Sequence, residues 1–326
     1  MNKLLCALLL MSFGVPTATH TSSRPELWAF TGPWDARSDS SLRVNARHLN
    51  VAVTGWIGLD SVTAQPILPS PFPDTLRLTS GAPRRMALVT SWHGNRFHPS
   101  SIRSLANNAE RRAHVASALA RHAESKHYAG LVLDFESLER SDLTGLLTVI
   151  KSIADSAHAH GIKTVVVAVP ATDTAAYPGK PIAGVADLVM PMLYDQHWST
   201  SGPGSISSPA WVRSTLAKRI AEVGAGRIVA ALPTYGYQWS AKGGAAAEVV
   251  SLTDARRIAS QSKVRLERDA ATNTMRAVNP GVWEIWVTDS QLLATLVRQA
   301  EDAGVRRIAL WRIGQEDPTL WRTLGR

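Results

Sequence analysis

Residues 128–136 read Tyr-Ala-Gly-Leu-Val-Leu-Asp-Phe-Glu, a run of strand length that ends in two carboxylates. Side chains alternate across a β-strand, so Val132, Asp134 and Glu136 share one face, and the leucines and the phenylalanine share the other. If the leucine face packs against helices, the carboxylates point towards the opposite interior at the end of the strand. The stretch therefore predicts a strand buried on both sides, with acidic chemistry at its carboxyl end.

Similar apolar runs recur along the chain, and most are followed by a helical pattern. The eight predicted strands cover residues 27–30, 50–57, 86–92, 130–135, 163–169, 188–194, 228–235 and 307–311. Near-continuous apolar strands joined by crossover helices indicate a parallel sheet that is buried on both sides. Eight strands in about 300 residues, with no glycine fingerprint after the first, predict an α/β fold. Its expected architecture is a (β/α)8 TIM barrel rather than an open dinucleotide-binding sheet.

The alternation of strands and helices is broken once, between strands seven and eight. Residues 238–286 hold one helical pattern, over 253–261, and short polar strands near 264–268 and 283–287. We expect a small α+β insertion at this place. The sequence has no internal repeat and no low-complexity linker, so residues 24–326 are predicted to form one domain.

Residues 1–19 have the pattern of a secretory signal peptide. A short positive start at Lys3 precedes an apolar stretch over 4–15, and small residues suited to cleavage follow. The apolar stretch is too short for a membrane-spanning helix, which needs roughly 20 residues. We therefore expect a secreted or periplasmic protein. Cleavage near Ala18 would remove Cys6, the single cysteine, and would exclude a disulfide framework and a cysteine nucleophile.

The chain carries 35 Lys and Arg against 26 Asp and Glu, a formal net charge of +9. Such an excess attracts anionic polymers such as cell-wall phosphate or acidic polysaccharide, although its spread along the chain also fits a purely compositional origin. No nucleic-acid-binding module or phosphate-cradling glycine loop is recognised, so no nucleic acid partner is expected. His93 and His98 have no third ligand at metal-binding spacing, so no metal and no cofactor is predicted. No stable protein partner is predicted either.

Further candidate site residues follow the other strands. The sixth strand leads into Tyr194 and Asp195, and the eighth ends at Trp311. Carboxylates at i and i+2 hold one proton between them, and a carboxylic acid kept protonated can protonate a leaving-group oxygen. The competing interpretation, a salt-bridged pair at a strand end, is disfavoured because no cation follows Glu136. Aromatic rings stack on the C–H face of a sugar. Rim residues expected to contact a sugar, some of which would instead be core, are His197, Trp198, Trp34, Trp92 and Trp239.

These motifs carry a family resemblance. Asp134-Phe-Glu136, the stretch from Met192 to Asp195 and the closing Trp311 resemble glycoside hydrolase family 18, the chitinase-like barrels. Residues 194–206 and 310–321 are similar to two bacterial branches of that family. One branch comprises spore-cortex and cell-wall lytic members, and the other is the hydrolase domain fused to polysaccharide deacetylases and glycosyltransferases. The similarity covers roughly residues 27–324, so 24–326 is identified as a family 18-like (β/α)8 domain.

The resemblance implies a retaining mechanism in which the substrate's own 2-acetamido oxygen attacks the anomeric carbon. Glu136 would be the general acid and then the base, Asp134 would orient the acetamido group, and Tyr194 would hydrogen-bond it. Asp195 would lie beside them, and Trp311 would stack under the sugar. The implied function is a secreted glycosidase acting on β-linked N-acetylglucosamine in peptidoglycan, exopolysaccharide or chitin-like polymers.

The sequence departs from the family motif at Ala129 and Val132, where the resemblance implies two further aspartates. An apolar residue at Val132 removes the carboxylate with which Asp134 would share a proton, and instead raises a neighbouring carboxyl pKa by desolvation. The departure keeps a second function open, a carbohydrate-binding barrel that turns over poorly. Retention of Glu136 together with Asp134 and Tyr194 favours the glycosidase, because a lectin has no need of the acid.

Overall fold

The computed structural model describes residues 24–68, 70 and 82–325. The predicted signal peptide, residues 1–19, lies outside these ranges. None of the helices within them combines the length and the apolar composition needed to cross a membrane.

Eight parallel strands close into a barrel, which confirms the predicted TIM-barrel fold. In chain order, β1 to β8 are Glu26–Phe30, Val51–Gly58, Arg84–Thr90, Gly130–Asp134, Thr164–Pro170, Leu188–Met192, Ala230–Pro233 and Arg307–Trp311. Each strand pairs with its neighbours in chain order, and β1 closes the barrel on β8 with Leu27 opposite Ile308. All eight predicted strands are present. The apolar runs located them because a strand that is buried on both faces needs a continuous run of apolar residues.

Helices surround the barrel and also occur in its insertion, and the sequence explains where two of them, α6 and α8, begin or end. Helices α1 to α9 are Ala36–Asn45, Pro99–Asn107, Ala109–Ser125, Leu143–Ala159, Gly179–Ala183, Pro209–Val223, Leu252–Gln261, Ser290–Asp302 and Leu320–Thr323. Pro209 opens α6 and Gly224, with a φ of +80°, ends it. Asp289 caps α8 by accepting a hydrogen bond from the Leu292 N–H. Both ends follow the usual preference for proline or a capping acid at the start of a helix and glycine after its end.

The strands bury two separate apolar layers. Leu131, Leu133 and Phe135 lie in the layer between the barrel and its helices. Val132 lies inside the barrel, together with Met86 and other inward side chains. The alternation predicted for this strand is therefore confirmed, and it directs the next inward position, Asp134, to the interior at the carboxyl end.

An insertion between β7 and α8 forms an antiparallel sheet that packs on α7. Its strands are Gly236–Ser240, Glu248–Val250, Glu267–Arg268, Met275–Asn279 and Trp283–Val287. The sequence predicted the insertion, its helix and two of these strands, but missed the other three. Glu248–Val250 has only three residues, and Met275–Asn279 buries a single side chain, so neither produces an apolar run.

Candidate active site

A cavity of about 740 Å³ opens at the carboxyl ends of the barrel strands, the place where barrel enzymes carry out their chemistry. Its floor is apolar and includes Val132, Ala168 and Met190. The predicted site residues that line it are Trp34, Trp92, Asp134, Glu136, Tyr194, Asp195 and Trp311. The closed barrel thus brings together side chains that are separated by up to 277 positions between Trp34 and Trp311.

The two acids are held by the segment that follows β4. Asp134 is the last residue of the strand, and Glu136 comes two residues later. Between them, the Phe135 side chain is buried in the outer layer and its carbonyl accepts a hydrogen bond from the Tyr177 hydroxyl at 2.9 Å. The same hydroxyl accepts from the Leu138 N–H at 3.0 Å. Tyr177 therefore anchors the chain on both sides of Glu136.

The carboxyl groups of Asp134 and Glu136 are hydrogen-bonded to each other. Burial raises the pKa of Asp134 to about 6, against the opposing effect of its hydrogen bonds. Burial also raises the pKa of Glu136 well above its ordinary value, and the charges of Asp134 and Asp195 add to this effect. Glu136 therefore keeps its proton to higher pH, and its carboxyl group donates a hydrogen bond to Asp134. When Asp134 is ionised, the proton that remains in the pair is on Glu136, as a general acid requires.

Asp134 has a second partner on the neighbouring strand. The Thr90 hydroxyl donates to Asp134 Oδ2 at 3.0 Å and accepts from the Trp92 N–H at 3.0 Å. Because the hydroxyl already accepts from the backbone, its single proton is directed at the carboxylate. On the inward face of β4, the residue preceding Asp134 is the fully buried Val132. The hydrogen-bond partners of the Asp134 carboxyl group are therefore the Thr90 hydroxyl and the Glu136 carboxyl group, and the side chain below it on this face is hydrocarbon.

A group of tyrosines holds the third carboxylate. Asp195 follows Tyr194 after β6, with a φ of +56°. Its Oδ1 accepts from the Tyr235 hydroxyl at 2.6 Å, and Tyr237 also hydrogen-bonds the carboxyl group. Burial raises the pKa of Asp195, and burial together with the charges of Glu136 and Asp134 raises the pKa of Tyr194 well above its ordinary value. Tyr194 therefore remains protonated and available as a hydrogen-bond donor.

Trp311, at the end of β8, forms an aromatic wall of the cavity. Its ring stacks with that of Tyr194, with 6.4 Å between the centroids and 15° between the planes. Phe30 meets Trp311 edge-on at 5.4 Å, and Trp56 lies 6.3 Å away. A rigid aromatic surface beside hydrogen-bonding groups suits a sugar, which has an apolar face and a polar rim.

Trp34 forms a second aromatic surface that is supported by an ion pair. Its side chain is 51% exposed, and its ring meets Trp56 edge-on at 4.8 Å. The Arg312 guanidinium lies 5.3 Å from the ring centroid and donates to Asp35 Oδ2 at 2.9 Å. Burial raises the pKa of Asp35, but hydrogen bonds from Arg37 and Arg312 outweigh this effect and hold the pKa well below its ordinary value. The ionised Asp35 carboxylate therefore holds the Arg312 guanidinium in place beside the Trp34 ring.

A short hairpin after β3, Trp92–His93 paired with Arg96–Phe97, forms another side of the cavity. Trp92 is 41% exposed and meets Phe97 edge-on at 5.0 Å. His93 lines the cavity, whereas the His98 Nε2 atom is engaged with the His93 carbonyl at 3.0 Å. Of these two histidines, only the first is positioned to meet a substrate.

Trp239 is placed differently from its prediction as a rim residue. Its side chain is only 5% exposed and packs against Tyr237 at 5.4 Å. The prediction placed Trp239 on the rim of the cavity, after strand seven. The chain instead starts the insertion sheet at Gly236, which pairs with Val250 and Val287, so Trp239 belongs to the buried face of that sheet.

His197 and Trp198 also do not line the cavity. The His197 ring packs so closely on Gly204 that a Cβ atom there would lie 2.5 Å from it, and its Nδ1 atom is 3.0 Å from the Gly202 carbonyl oxygen. Trp198 is 51% exposed, and its indole donates to the Thr200 hydroxyl at 2.9 Å. Both residues follow β6, but their loop turns back on itself through local hydrogen bonds.

Sequence analysis missed three residues that bond the carboxylates, namely Thr90, Tyr235 and Tyr237. Thr90 is the last residue of β3 and lies at an inward position, so the alternation that located Asp134 could have located it. Tyr235 ends the predicted seventh strand and could have been found in the same way. Tyr237 reaches Asp195 from the insertion sheet, and no local signal indicates that contact.

Comparisons with known proteins agree with this fold and its motifs. The family model described as glycosyl hydrolases family 18 matches residues 29–316. The cortical fragment-lytic enzyme of Bacillus subtilis (strain 168) is 22% identical over 253 residues, 73% of this chain and 59% of that protein. The spore cortex-lytic enzyme SleL of Bacillus cereus aligns with a TM-score of 0.82 at 19% identity, over 94% of this chain and 74% of that one. A class V chitinase from Pseudomonas fluorescens Pf-5 aligns with a TM-score of 0.80 at 23% identity, over 92% and 98%.

The matches to individual relatives and to the family model differ in how much of each protein they cover. The chain spans 57–62% of the length of the first curated relatives it matches, so it corresponds to a part of those proteins. The family match, in contrast, runs through the whole barrel, from β1 to the segment after β8. The chain therefore belongs to glycosyl hydrolases family 18.

Proposed function

We propose that this protein hydrolyses polysaccharides that contain β-linked N-acetylglucosamine, with retention of configuration at the anomeric carbon. The observation that carries the proposal is the hydrogen-bonded pair of Asp134 and Glu136 on the wall of a cavity that Tyr194 and Trp311 also line. Burial keeps the proton on Glu136, which is the state in which a carboxyl group can act as a general acid.

In the proposed reaction, Glu136 donates its proton to the glycosidic oxygen as the bond to the leaving sugar breaks. The 2-acetamido oxygen of the substrate attacks the anomeric carbon and forms a cyclic oxazolinium ion. Ionised Asp134 orients the acetamido group and stabilises the positive ring, and Tyr194 hydrogen-bonds the same group. Glu136, now ionised, takes a proton from the water that opens the ring.

The positions of the carboxylates support a nucleophile supplied by the substrate. An acid and a nucleophile that flank a glycosidic bond stand about 5 Å or more apart on two sides of the ring. Asp134 and Glu136 instead hydrogen-bond each other, two residues apart on one strand face. Asp195, the remaining carboxylate on the described cavity wall, is engaged by two tyrosines. None of these three carboxyl groups is therefore placed to act as the nucleophile instead of the acetamido oxygen.

The names of similar proteins support a wall-derived or chitin-like substrate, since one is a cortical fragment-lytic enzyme and another a chitinase. Peptidoglycan, exopolysaccharide and chitin-like chains all fit this proposal. We place the enzyme outside the cytoplasm, secreted or periplasmic, because of the signal-peptide pattern in residues 1–19. Its net charge of +9 supports an additional contact with an anionic wall polymer.

A second candidate function rests on one observation. Val132 stands where the family motif has an aspartate, and the structure buries it completely beneath Asp134. A barrel that binds N-acetylglucosamine chains and turns over poorly would fit this loss. The retained proton-sharing pair favours the hydrolase.

The test compares three sets of oligosaccharides with the same purified protein. N-acetylated oligomers should be cleaved to products of retained anomeric configuration, which NMR detects within the first turnovers. A thiazoline analogue of the oxazoline should inhibit this cleavage. Fully de-N-acetylated oligomers and cellooligosaccharides should not be cleaved, since neither can form the oxazolinium ion. Rapid cleavage of either would exclude the proposed mechanism. Binding of the N-acetylated oligomers without cleavage would select the carbohydrate-binding function.

A further inference from the structure

Cations are concentrated at the end of the barrel where the strands begin, opposite the cavity. The amino ends of the eight strands meet there, and we define the basal face as the residues, among those that the structure describes, from four before each strand to its second residue. They carry two carboxylates, Glu26 and Asp187. Their Lys and Arg side chains are Arg24, Arg47, Arg84, Arg85, Lys126, Lys163, Arg227, Arg306 and Arg307. The basal face therefore has a formal excess of seven positive charges.

The opposite end of the barrel has the opposite sign. The corresponding segments, from the last two residues of each strand to the fourth residue after it, carry one cation, Arg312. Their carboxylates are Asp60, Asp134, Glu136, Asp173 and Asp195. The two ends of the barrel thus carry opposite formal charges, +7 at the basal face and −4 at the cavity end, although the cations are spread along the sequence. A purely compositional excess of arginine gives no reason for this segregation.

Several basal cations are held in place without being neutralised. Glu26 is shared between Arg84, at 2.9 Å, and Arg307, at 3.6 Å. Arg227 and Arg24 donate to backbone carbonyls at 2.6 and 2.7 Å. A carbonyl acceptor orients a guanidinium but leaves its full charge available to a ligand. The bound arginines therefore present a preorganised positive surface.

Three basal cations point to a partner outside the chain. Lys126, Lys163 and Arg306 are exposed and form no hydrogen bond or ion pair through their side chains with the residues that the structure describes. Neighbouring strands in a sheet lie about 4.8 Å apart, so cations on adjacent strands recur every ~5–10 Å around the ring. Barrel order places Arg24 next to Arg306 and Arg307, and Lys126 between Arg84 and Lys163. This spacing matches repeated charges along an extended polymer rather than one small anion.

We propose that the basal face binds an extended anionic glycan or wall polymer that bears phosphate or carboxylate groups. Guanidinium groups suit both anions, because their planar donors match phosphate and carboxylate oxygens in pairs. The choice of a glycan over a nucleic acid rests on the proposed function, since the substrate of the cavity is itself a polysaccharide. Attachment at this face leaves the cavity, at the other end of the axis, free to receive a second chain.

The experiment removes three charges from the basal face and compares a matched control. The basal variant is Lys126→Gln with Lys163→Gln and Arg306→Gln. The control variant, with the same net charge, is Lys218→Gln with Lys242→Gln and Arg256→Gln, which are exposed residues of α6, the insertion and α7. Thermal unfolding verifies that both variants fold. Fluorescence anisotropy then measures Kd for labelled polygalacturonate, inorganic polyphosphate and single-stranded DNA from about 0.05 to 0.5 M salt.

We expect the natural protein to bind polygalacturonate or polyphosphate, and the stronger of the two identifies carboxylate or phosphate as the recognised group. The basal variant should bind at least about tenfold more weakly at low salt, and its slope of log Kd against log salt should fall by about two. The control variant should stay within about twofold. Equal losses in both variants, absence of binding by the natural protein, or tighter binding of DNA than of both other polymers would overturn the proposal. Binding is measured without hydrolysis, so an inactive cavity would contradict the proposed function and leave this result intact.

Discussion

The hydrogen bond from Thr90 to Asp134 should set the pH at which the enzyme gains activity. The proposed mechanism needs Asp134 ionised, and the pKa of that carboxyl group is about 6. Burial raises this pKa, and the hydrogen bond from Thr90, at 3.0 Å, lowers it. Replacing Thr90 with valine keeps the shape of the side chain and removes the donor. The Thr90→Val enzyme should therefore need a higher pH to ionise Asp134.

The size of the shift follows from the strength of one charge-assisted hydrogen bond. Such a bond contributes about 1.5–3 kcal/mol, and one pKa unit corresponds to about 1.36 kcal/mol. The acid limb of kcat/KM should therefore move upward by about one to two pH units from its position near 6. At pH 6 the ionised fraction of Asp134 would fall from about one half to about 1–10%, so activity would drop by about 5- to 50-fold. Well above pH 8, activity should differ much less.

The assay is a profile of kcat/KM from pH 4 to 9 on a short neutral oligosaccharide, since kcat/KM reports the ionisation of the free enzyme. Thr90→Ser retains the donor and should keep the original profile. Thr31→Val is the matched control, because Thr31 is also buried near a strand end but its hydroxyl donates to the Val53 carbonyl. An acid limb that stays in place in Thr90→Val, or that moves equally in Thr31→Val, would refute the role given to this hydrogen bond.

Two further changes test the acids themselves. Glu136→Gln should reduce hydrolysis by about 10²–10⁴-fold, because the acidic proton is lost. Sugar binding, measured by calorimetry, and the unfolding temperature should change little. Activity equal to that of the natural enzyme would remove Glu136 from the mechanism. Asp134→Asn should stabilise the protein at pH 7.5 but hardly at pH 4. The folded-state pKa of Asp134 is raised from 3.8 to about 6, so its contribution to stability is complete below pH 3.8 and is lost as the pH rises through 6. The loss is roughly 3 kcal/mol for about two pKa units. Urea unfolding at both pH values measures the difference, and an equal change at both would contradict the raised pKa.

Local patterns in the sequence determined the strands, the helix ends and the direction of the catalytic candidates. Every second residue of a strand points to the same side, so a run of apolar residues at 131, 133 and 135 was enough to direct Asp134 and Glu136 inward. Pro209 and Gly224 likewise marked the ends of α6, because both act on the backbone of their own segment. Physical effects with a range of a few residues can be inferred from the sequence of those residues.

Only the tertiary structure decided which side chains from distant segments meet. Pairing of β3 with β4 places Thr90 directly opposite Asp134, and the register of that pairing joins residues 44 positions apart. Tyr235 reaches Asp195 across 40 positions of sequence, and Trp239 is buried because an insertion sheet forms around it. The separation of charge between the two ends of the barrel arises in the same way, since parallel strands gather their amino ends on one face although the cations are scattered along the chain. Such contacts depend on how strands pair and close, which no local run of residues encodes.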